Sequence, residues 1–354
     1  MKKVGIITFH NAHNYGAILQ SLALQEKLKD LGYDVSIIDH KNQFIIDQYK
    51  IFSKSQFLAK NLFHKLTYLF IHFLFIHKVI KRYNLFERFI QKNFLLKSYP
   101  IDNNFNSYDC LIFGSDQIWN NKLTGNDTVY WGNVKCDRKI SYAASVGKID
   151  ETIIESYKYL NCFHSIGVRE NSLVLDLTKK GLNPVLNVDP TLLLTAKEWD
   201  AILTITQNNS SKYILVYSMR DRTACIDMAK RYSEKLTLPV IEIPSGIDTK
   251  QIHNPHLYTG PKEFVELIKN ASLVITDSFH GTVFSIIYSK PLLSIRQNCG
   301  GNERIESLMT VLHISQNFVL PLFDDEVPVI NYEEVNIALV TLRKDSLNYL
   351  TFNI

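Results

Sequence analysis

Paired cysteines are missing from this sequence. The five that occur, Cys110, Cys136, Cys162, Cys225 and Cys299, are scattered, with no CxxC pair and no zinc spacing. Such an odd set points to a reducing compartment and ordinary buried thiols. The first strand is not followed by GxGxxG, so a dinucleotide fingerprint is absent. There is no GxxxxGK[ST] loop and no nucleophile elbow with a Ser-His-Asp order. No repeat or low-complexity tract occurs. The net charge is only +4, which makes no global demand for a nucleic-acid partner. The opening MKKVGIITFH has a four-residue apolar run leading into a polar loop. A signal peptide is therefore not expected, and the cytoplasm is the expected address.

What is present is an ordinary globular balance, 46% hydrophobic and 21% charged over 354 residues, enough for two domains. Short apolar runs alternate with helical patterns, which reads as βα units and parallel sheets. Strands are expected at Val4–Thr8, Val35–Ile38, Leu111–Phe113, Ile140–Ala144 and Ser165–Val168, with a helix near Ala17–Leu31. A second series follows Pro190: strands at Ile214–Tyr217, Pro239–Ile243, Leu273–Thr276 and Leu292–Ile295, with helices at Thr223–Lys235 and Thr282–Tyr288. Two Rossmann-like domains follow, 1–195 and 196–354. Ligands of such sheets sit at the carboxyl ends of the strands, so the active site is expected in a cleft between the domains.

An insertion at about 45–98 departs from the pattern. Residues 50–97 hold ten Lys/Arg and one acid, Glu87, a local charge of +9. Phe57, Phe63, Tyr68, Phe70, Phe73, Phe75, Phe86 and Phe89 are interleaved. The longest stretch free of charged residues, Leu66–His77, is short of the ~20 residues a bilayer needs. One reading is peripheral attachment to an anionic membrane surface. The other is a helical hairpin packed on the first domain with its lysines solvated.

Candidate chemistry lies in five stretches. In LVITDSFHGTVFSIIY a buried strand ends at Thr276, and the loop 277–281 opens an apolar helix, which makes an anion site. His280 supplies a titratable group there, Gly281 a close backbone approach, and Ser278 and Phe279 flank it; a capping histidine is the competing reading. The loop 9–17 contains Asn14, Tyr15 and Gly16 at another helix start. Its two histidines lack a nearby carboxylate, so metal is not expected. Ser115 and Asp116 follow Leu111–Phe113, with Asp116 as a base for a sugar hydroxyl and Trp119 as a face for a sugar ring; the competing reading is an N-capping Asp and a core Trp. Arg169 ends another strand and suits carboxylate or phosphate recognition, against a structural ion pair. Arg296 and Arg304 are further cations. An anion site without a P-loop points to a small anionic substrate.

The ordered set Asn14-Tyr15-Gly16-Ala17, FGSDQIW at 113–119, YAASVG at 142–147, Val168-Arg169-Glu170, VDPT at 188–191 and DSFHG at 277–281 resembles the polysaccharide pyruvyl transferases. The resemblance covers roughly residues 1–310. It implies two Rossmann-like domains in a glycosyltransferase-B-like (GT-B-like) arrangement. It implies phosphoenolpyruvate as donor and a saccharide acceptor, often polyprenyl-linked, in capsule or exopolysaccharide synthesis. No metal and no cofactor are implied. Carried over by position, His280 and Arg169 look like the donor-binding and catalytic pair, and Asp116 an acceptor-side acid or base. Some members carry arginine two residues before the histidine, where this chain has Ser278, so Arg296 or Arg304 would complete the phosphate clamp. The rival readings are a nucleotide-sugar glycosyltransferase and a non-catalytic glycan-binding protein.

Overall fold

The computed structural model describes residues 1–50, 62–206, 212–245, 254–297 and 302–354. Among these, the strands form two sheets whose pairings are all parallel. The first contains β1 (Lys3–Ile7), β2 (Asp34–Asp39), β3 (Leu96–Ser98), β4 (Cys110–Phe113), β5 (Lys139–Ala144), β6 (Ser165–Val168) and β7 (Pro184–Leu186), in the order β3-β2-β1-β4-β5-β6-β7. The second contains β8 (Ile214–Tyr217), β9 (Val240–Ile243), β10 (Leu273–Thr276), β11 (Leu292–Ile295) and β12 (Phe318–Val319), in the order β12-β11-β10-β8-β9. Both are doubly wound α/β orders. The first is the dinucleotide-fold order with a seventh strand, and the second is the flavodoxin-like order.

The central strands form because they are mostly apolar and buried throughout, as parallel strands covered on both faces must be. The principal helices are α1 (Tyr15–Asp30), α2 (Leu62–Asn93), α3 (Asn171–Lys179), α4 (Arg222–Leu236), α5 (Pro261–Asn270), α6 (Phe279–Ile287), α7 (Glu303–Val311) and α8 (Tyr332–Asn353). Polar side chains start several of them. Asn14 accepts from Ala17 N–H before α1, Asp221 from Ala224 N–H before α4, and Ser278 from Gly281 N–H before α6.

The chain divides into two compact units, 1–49 with 90–194 and 339–354, and 50–89 with 195–338. Two segments therefore differ from the expected 1–195 and 196–354. The insertion was expected on the first domain, but residues 50–89 count with the second unit. There Arg82 Nη1 donates to Pro244 O at 2.9 Å and Lys81 Nζ sits 3.9 Å over the Tyr258 ring. Residues 339–354 return to the first unit, where Tyr349 Oη donates to the buried Ser141 O and Arg343 Nε to Leu192 O.

On α2, Val79, Phe86 and Ile90 are buried while Phe73, Ile76 and Ile80 form an exposed stripe at helical spacing. Phe57 lies outside the described residues, as do the side chains of Phe63, Tyr68, Phe70 and Phe75. No described helix is long and apolar enough to cross a membrane. Cys110 and Cys225 are buried, but Cys162 is exposed, unlike the buried thiols expected; Cys299 lies outside the described residues.

Packing gives Gly281 a role besides the expected ligand approach. A Cβ there would stand 2.4 Å from Thr276 Oγ1 and 3.1 Å from its Cβ. Thr276 cannot easily turn away, because its hydroxyl donates to Tyr217 O and accepts from Ser278 N–H. Glycine thus lets α6 close onto β10. Gly281→Ala should lower the melting temperature, because overpacking costs about 1–3 kcal/mol and exceeds the ~1 kcal/mol that alanine gains as a helix former. A calorimetric scan showing an unchanged or higher melting temperature would mean that Thr276 yields.

Candidate functional site

Strand order reverses between β1 and β4 in the first sheet and between β8 and β10 in the second. The carboxyl ends of those strands are where such sheets bind ligands. The loops there carry most of the candidate residues.

In the first unit, Gly114 follows β4 at φ 127°, with room for no Cβ: one would stand 2.2 Å from Tyr142 O. Asp116 then adopts the left-handed region, φ 68°, sparsely populated outside glycine and a common mark of functional loops. Its carboxylate Oδ1 accepts from Arg169 Nη2 at 3.2 Å. Arg169 Nη1 donates to Asp189 Oδ2 at 2.6 Å. The Arg169 and Asp189 side chains are 2% and 0% exposed, and Asp116 13%. Burial opposes the Arg169 charge, but Asp189, Asp116 and Glu170 more than offset it, and its pKa is raised. Asp189 Oδ1 is held by Thr191 N–H and the Thr191 hydroxyl, and Ser115 Oγ reaches Oδ2 at 3.4 Å. Glu170 accepts from the Ser145 hydroxyl.

Arg169 is thus not the open fork for a substrate anion that its strand-end position suggested. Two carboxylates of its own unit engage it. Trp119 is likewise corrected: it is fully buried, stacked on Trp131 at 5.2 Å, with Nε1 donating to Tyr130 O, so it offers no face to a sugar. Tyr15 is fully buried in α1, Gly16 is buried beside it, and Asn14 is occupied as the N-cap. Ser115 is fully buried; its N–H donates to Gln20 Oε1 and its carbonyl accepts from Thr8 Oγ1.

At the ends of β1 and β2 lies a cluster that sequence spacing hid. His10 Nε2 is 3.1 Å from Asp39 Oδ1, and Asn11 Nδ2 donates to the same oxygen. The hydrogen bond from His10 holds the Asp39 carboxyl well below the usual carboxylate range. Burial pushes the other way, and Asn11 and Lys41 lower it further. His40 Nε2 approaches Asp127 Oδ2 at 2.6 Å, and Asn42 Nδ2 donates to that oxygen. Among the described residues no three His, Cys, Asp or Glu side chains form a set that could hold a metal.

In the second unit, α6 begins at Phe279, so His280 lies in its first turn rather than in a preceding loop. It is 7% exposed, edge-on to Phe279 at 5.2 Å. The Ser278 hydroxyl is the cap. Asp277 accepts four hydrogen bonds, from Ser218 Oγ and the N–H groups of Met219, Arg220 and Asp221, which ties the loop after β8 to the loop after β10. Arg304, from α7, lies with its guanidinium 5.6 Å from the Phe279 ring centre. Arg296 instead pairs with Glu306 at 3.1 Å and stacks on Phe318 at 4.4 Å.

Sequence reasoning missed Arg220. It is exposed at the end of β8, and its Nη1 donates to Gln297 Oε1, whose amide donates to Asp277 O. Its position just before the N-cap of α4, opposite DSFHG across the strand reversal, was the available signal. Asp189 was visible only as part of VDPT.

The family model for polysaccharide pyruvyl transferase matches residues 14–298 of the chain. No curated protein matches it significantly. Among solved structures, the chain is similar to a putative UDP-N-acetylglucosamine 2-epimerase from Listeria monocytogenes, with 12% identity, 98% of this chain and 90% of that chain covered, and a TM-score of 0.48. It is also similar to the UDP-GlcNAc 2-epimerase of Methanocaldococcus jannaschii in complex with UDP-GlcNAc and UDP, with 13% identity, 97% and 93% covered, and a TM-score of 0.46.

The Asp39 geometry sets a pH dependence. A carboxyl depressed on folding stabilises the fold above its unfolded pKa of about 3.9, and that contribution fades as pH falls through the acid range. Asp39→Asn should therefore unfold more easily than wild type at pH 7, by up to about 1 kcal/mol after solvent screening. The gap should narrow steadily below pH 4. Denaturant titrations at pH 7 and pH 3 check this, and a gap that is equal at both would remove the ionic contribution.

Proposed function

Because the chain belongs to the polysaccharide pyruvyl transferase family, transferases of polysaccharide biosynthesis, we propose that it moves a pyruvyl group from phosphoenolpyruvate onto a saccharide and closes a ketal on two hydroxyls. The observation that carries this reading is His280 in the first turn of α6, at the strand reversal of the second sheet, with Arg220 and Arg304 on the neighbouring elements. Phosphoenolpyruvate is a dense anion, and a helix start flanked by guanidinium groups suits it.

The chemistry requires a proton on the methylene carbon, which leaves the former enol carbon cationic. One sugar hydroxyl adds to that carbon and loses its proton. A second hydroxyl replaces the phosphate, which departs with its bonding electron pair, and loses its own proton. We assign delivery of the first proton, or stabilisation of departing phosphate, to His280 and hydroxyl activation to Asp116. Arg220 and Arg304 supply the positive charge that Ser278 does not. The donor and the saccharide are the reactants, and we assign the reaction no metal and no resident cofactor.

Phosphate release from phosphoenolpyruvate, measured over a panel of free and polyprenyl-linked saccharides with and without a chelator, tests the reading. Turnover should survive the chelator. His280→Ala, folded by circular dichroism, should lose at least ~10²-fold. No phosphate release with any acceptor, or a near-normal His280→Ala, would defeat it.

We further place the enzyme at the cytoplasmic face of the membrane, where a lipid-linked acceptor would be presented. The +9 charge of residues 50–97 and the exposed stripe Phe73, Ile76 and Ile80 support this. Each Lys or Arg near an anionic surface contributes about 1 kcal/mol, weakening with salt. Lys81 and Arg82 are engaged within the second unit, so the informative variant combines Phe73→Ser with Arg88→Gln and Lys92→Gln. Co-sedimentation should require anionic vesicles, fall with salt and weaken in this variant. Equal recovery with neutral and anionic vesicles would count against attachment.

A further inference from the structure

We propose that Asp189 is a positioning residue: buried and anchored, it locks Arg169 so that the other arm of the guanidinium aims the Asp116 carboxylate. The proposal rests on the reading of Asp116 as the group that activates the acceptor hydroxyl, and it assigns Arg169 to that group rather than to the donor anion.

The three side chains form one line from core to solvent. Asp189 is fully buried, and Thr191 holds its Oδ1 through both N–H and hydroxyl. Its Oδ2 takes Arg169 Nη1 at 2.6 Å. The Arg169 backbone is fixed where its N–H donates to Ala144 O, and its side chain is enclosed, 2% exposed. Its Nη2 reaches Asp116 Oδ1 at 3.2 Å, and Asp116 is the only one of the three with appreciable exposure. The backbone of Asp116 is held as well. Its carbonyl accepts from the N–H groups of Ile118 and Ser145, and its N–H donates to Ser115 Oγ at 2.5 Å. Among the described residues the Arg169 bond falls on Oδ1 of Asp116 and not on Oδ2, and a second oxygen is what a base toward a hydroxyl needs.

A planar fork is required at the middle position. A guanidinium holds its two terminal nitrogens in one rigid plane and can donate from each to a different carboxylate at once, whereas an ammonium is a point charge that cannot fix the orientation of both. Losing the Asp189 charge would free the guanidinium to swing and would leave Asp116 unaimed, while the donor-binding residues of the second unit stay as they are.

The test uses the full-length enzyme and four variants, Asp189→Asn, Arg169→Lys, Asp116→Asn and the Asp189→Asn/Asp116→Asn double, each checked for folding by thermal melt. Asp189→Asn and Arg169→Lys should each lower kcat by roughly tenfold or more. The phosphoenolpyruvate dissociation constant, measured by calorimetry without acceptor, should stay within about twofold, since no donor contact is removed. Adding Asp189→Asn to Asp116→Asn should cost little more, because one acts through the other. Should Asp189→Asn fail to fold, Arg169→Lys and its double with Asp116→Asn decide the same point. Phosphoenolpyruvate affinity falling about tenfold or more in Arg169→Lys would make Arg169 a donor ligand and overturn the proposal. Multiplicative losses in the double variant would overturn it too, as a general structural role. A wild type that turns over phosphoenolpyruvate while these results fail sinks this proposal alone; a wild type with no turnover sinks the functional reading with it.

Discussion

A parallel strand buried on both faces cannot return to its neighbour by a hairpin. It must be left by a crossover and re-entered from the same end. Every loop that follows a strand therefore gathers at one edge of each sheet, and every crossover helix begins there. Both sheets obey this, and both reverse direction once, between β1 and β4 and between β8 and β10. Thr8, Ser115, Asp116, Ser145 and Arg169 of the first unit, and Ser218, Arg220, Asp277 and His280 of the second, all occupy such ends. Their clustering is a consequence of topology before it is a consequence of chemistry.

The same topology carries opposite electrostatics in the two units. In the second, the carboxylate of Asp277 is turned toward the backbone and takes four donors, so its charge is absorbed in joining two loops. Beside the buried start of α6 stand two cations, the exposed Arg220 and the half-buried Arg304. In the first, the cation is the buried partner. Arg169 is enclosed by Asp189 and Asp116, and the least enclosed member of the set is a carboxylate. Removing one partner from such a buried set leaves an uncompensated charge and is strongly destabilising, even where replacing the whole set by apolar groups would not be.

The central strands were legible in the sequence because burial on both faces makes them continuous apolar runs. The edge strands β3 and β7 were not, because they are three residues long and largely exposed, and β12 is only two residues. Proline opens β7, which only an edge tolerates well. Domain membership was legible where it follows chain order and failed where it does not: residues 50–89 and 339–354 each pack with the unit other than the one their neighbours in sequence suggest. Trp119 and Tyr15 show a second limit, since an aromatic near a loop reads the same whether it faces solvent or core. The His10–Asp39 pair shows a third. Its members are far apart in sequence and meet only because β1 and β2 pair in parallel with Val4 opposite Val35.

Arg169 gives the most consequential of these limits. A guanidinium at a strand end was read as a hook for an anion, and its neighbours in sequence could not decide otherwise. With both carboxylates ionised, Arg169, Asp116 and Asp189 together carry net negative charge, and Glu170 adds to it. A phosphate brought close to that set would meet repulsion that low exposure does little to screen. A sugar hydroxyl would meet none, and it would find an acceptor oxygen held at fixed orientation. The second unit presents the reverse, a carboxylate already saturated and cations at the rim. The two sets of loops thus differ in charge: after β4 the more exposed member of the ion-pair set is the carboxylate of Asp116, and after β8 the exposed charge is the guanidinium of Arg220.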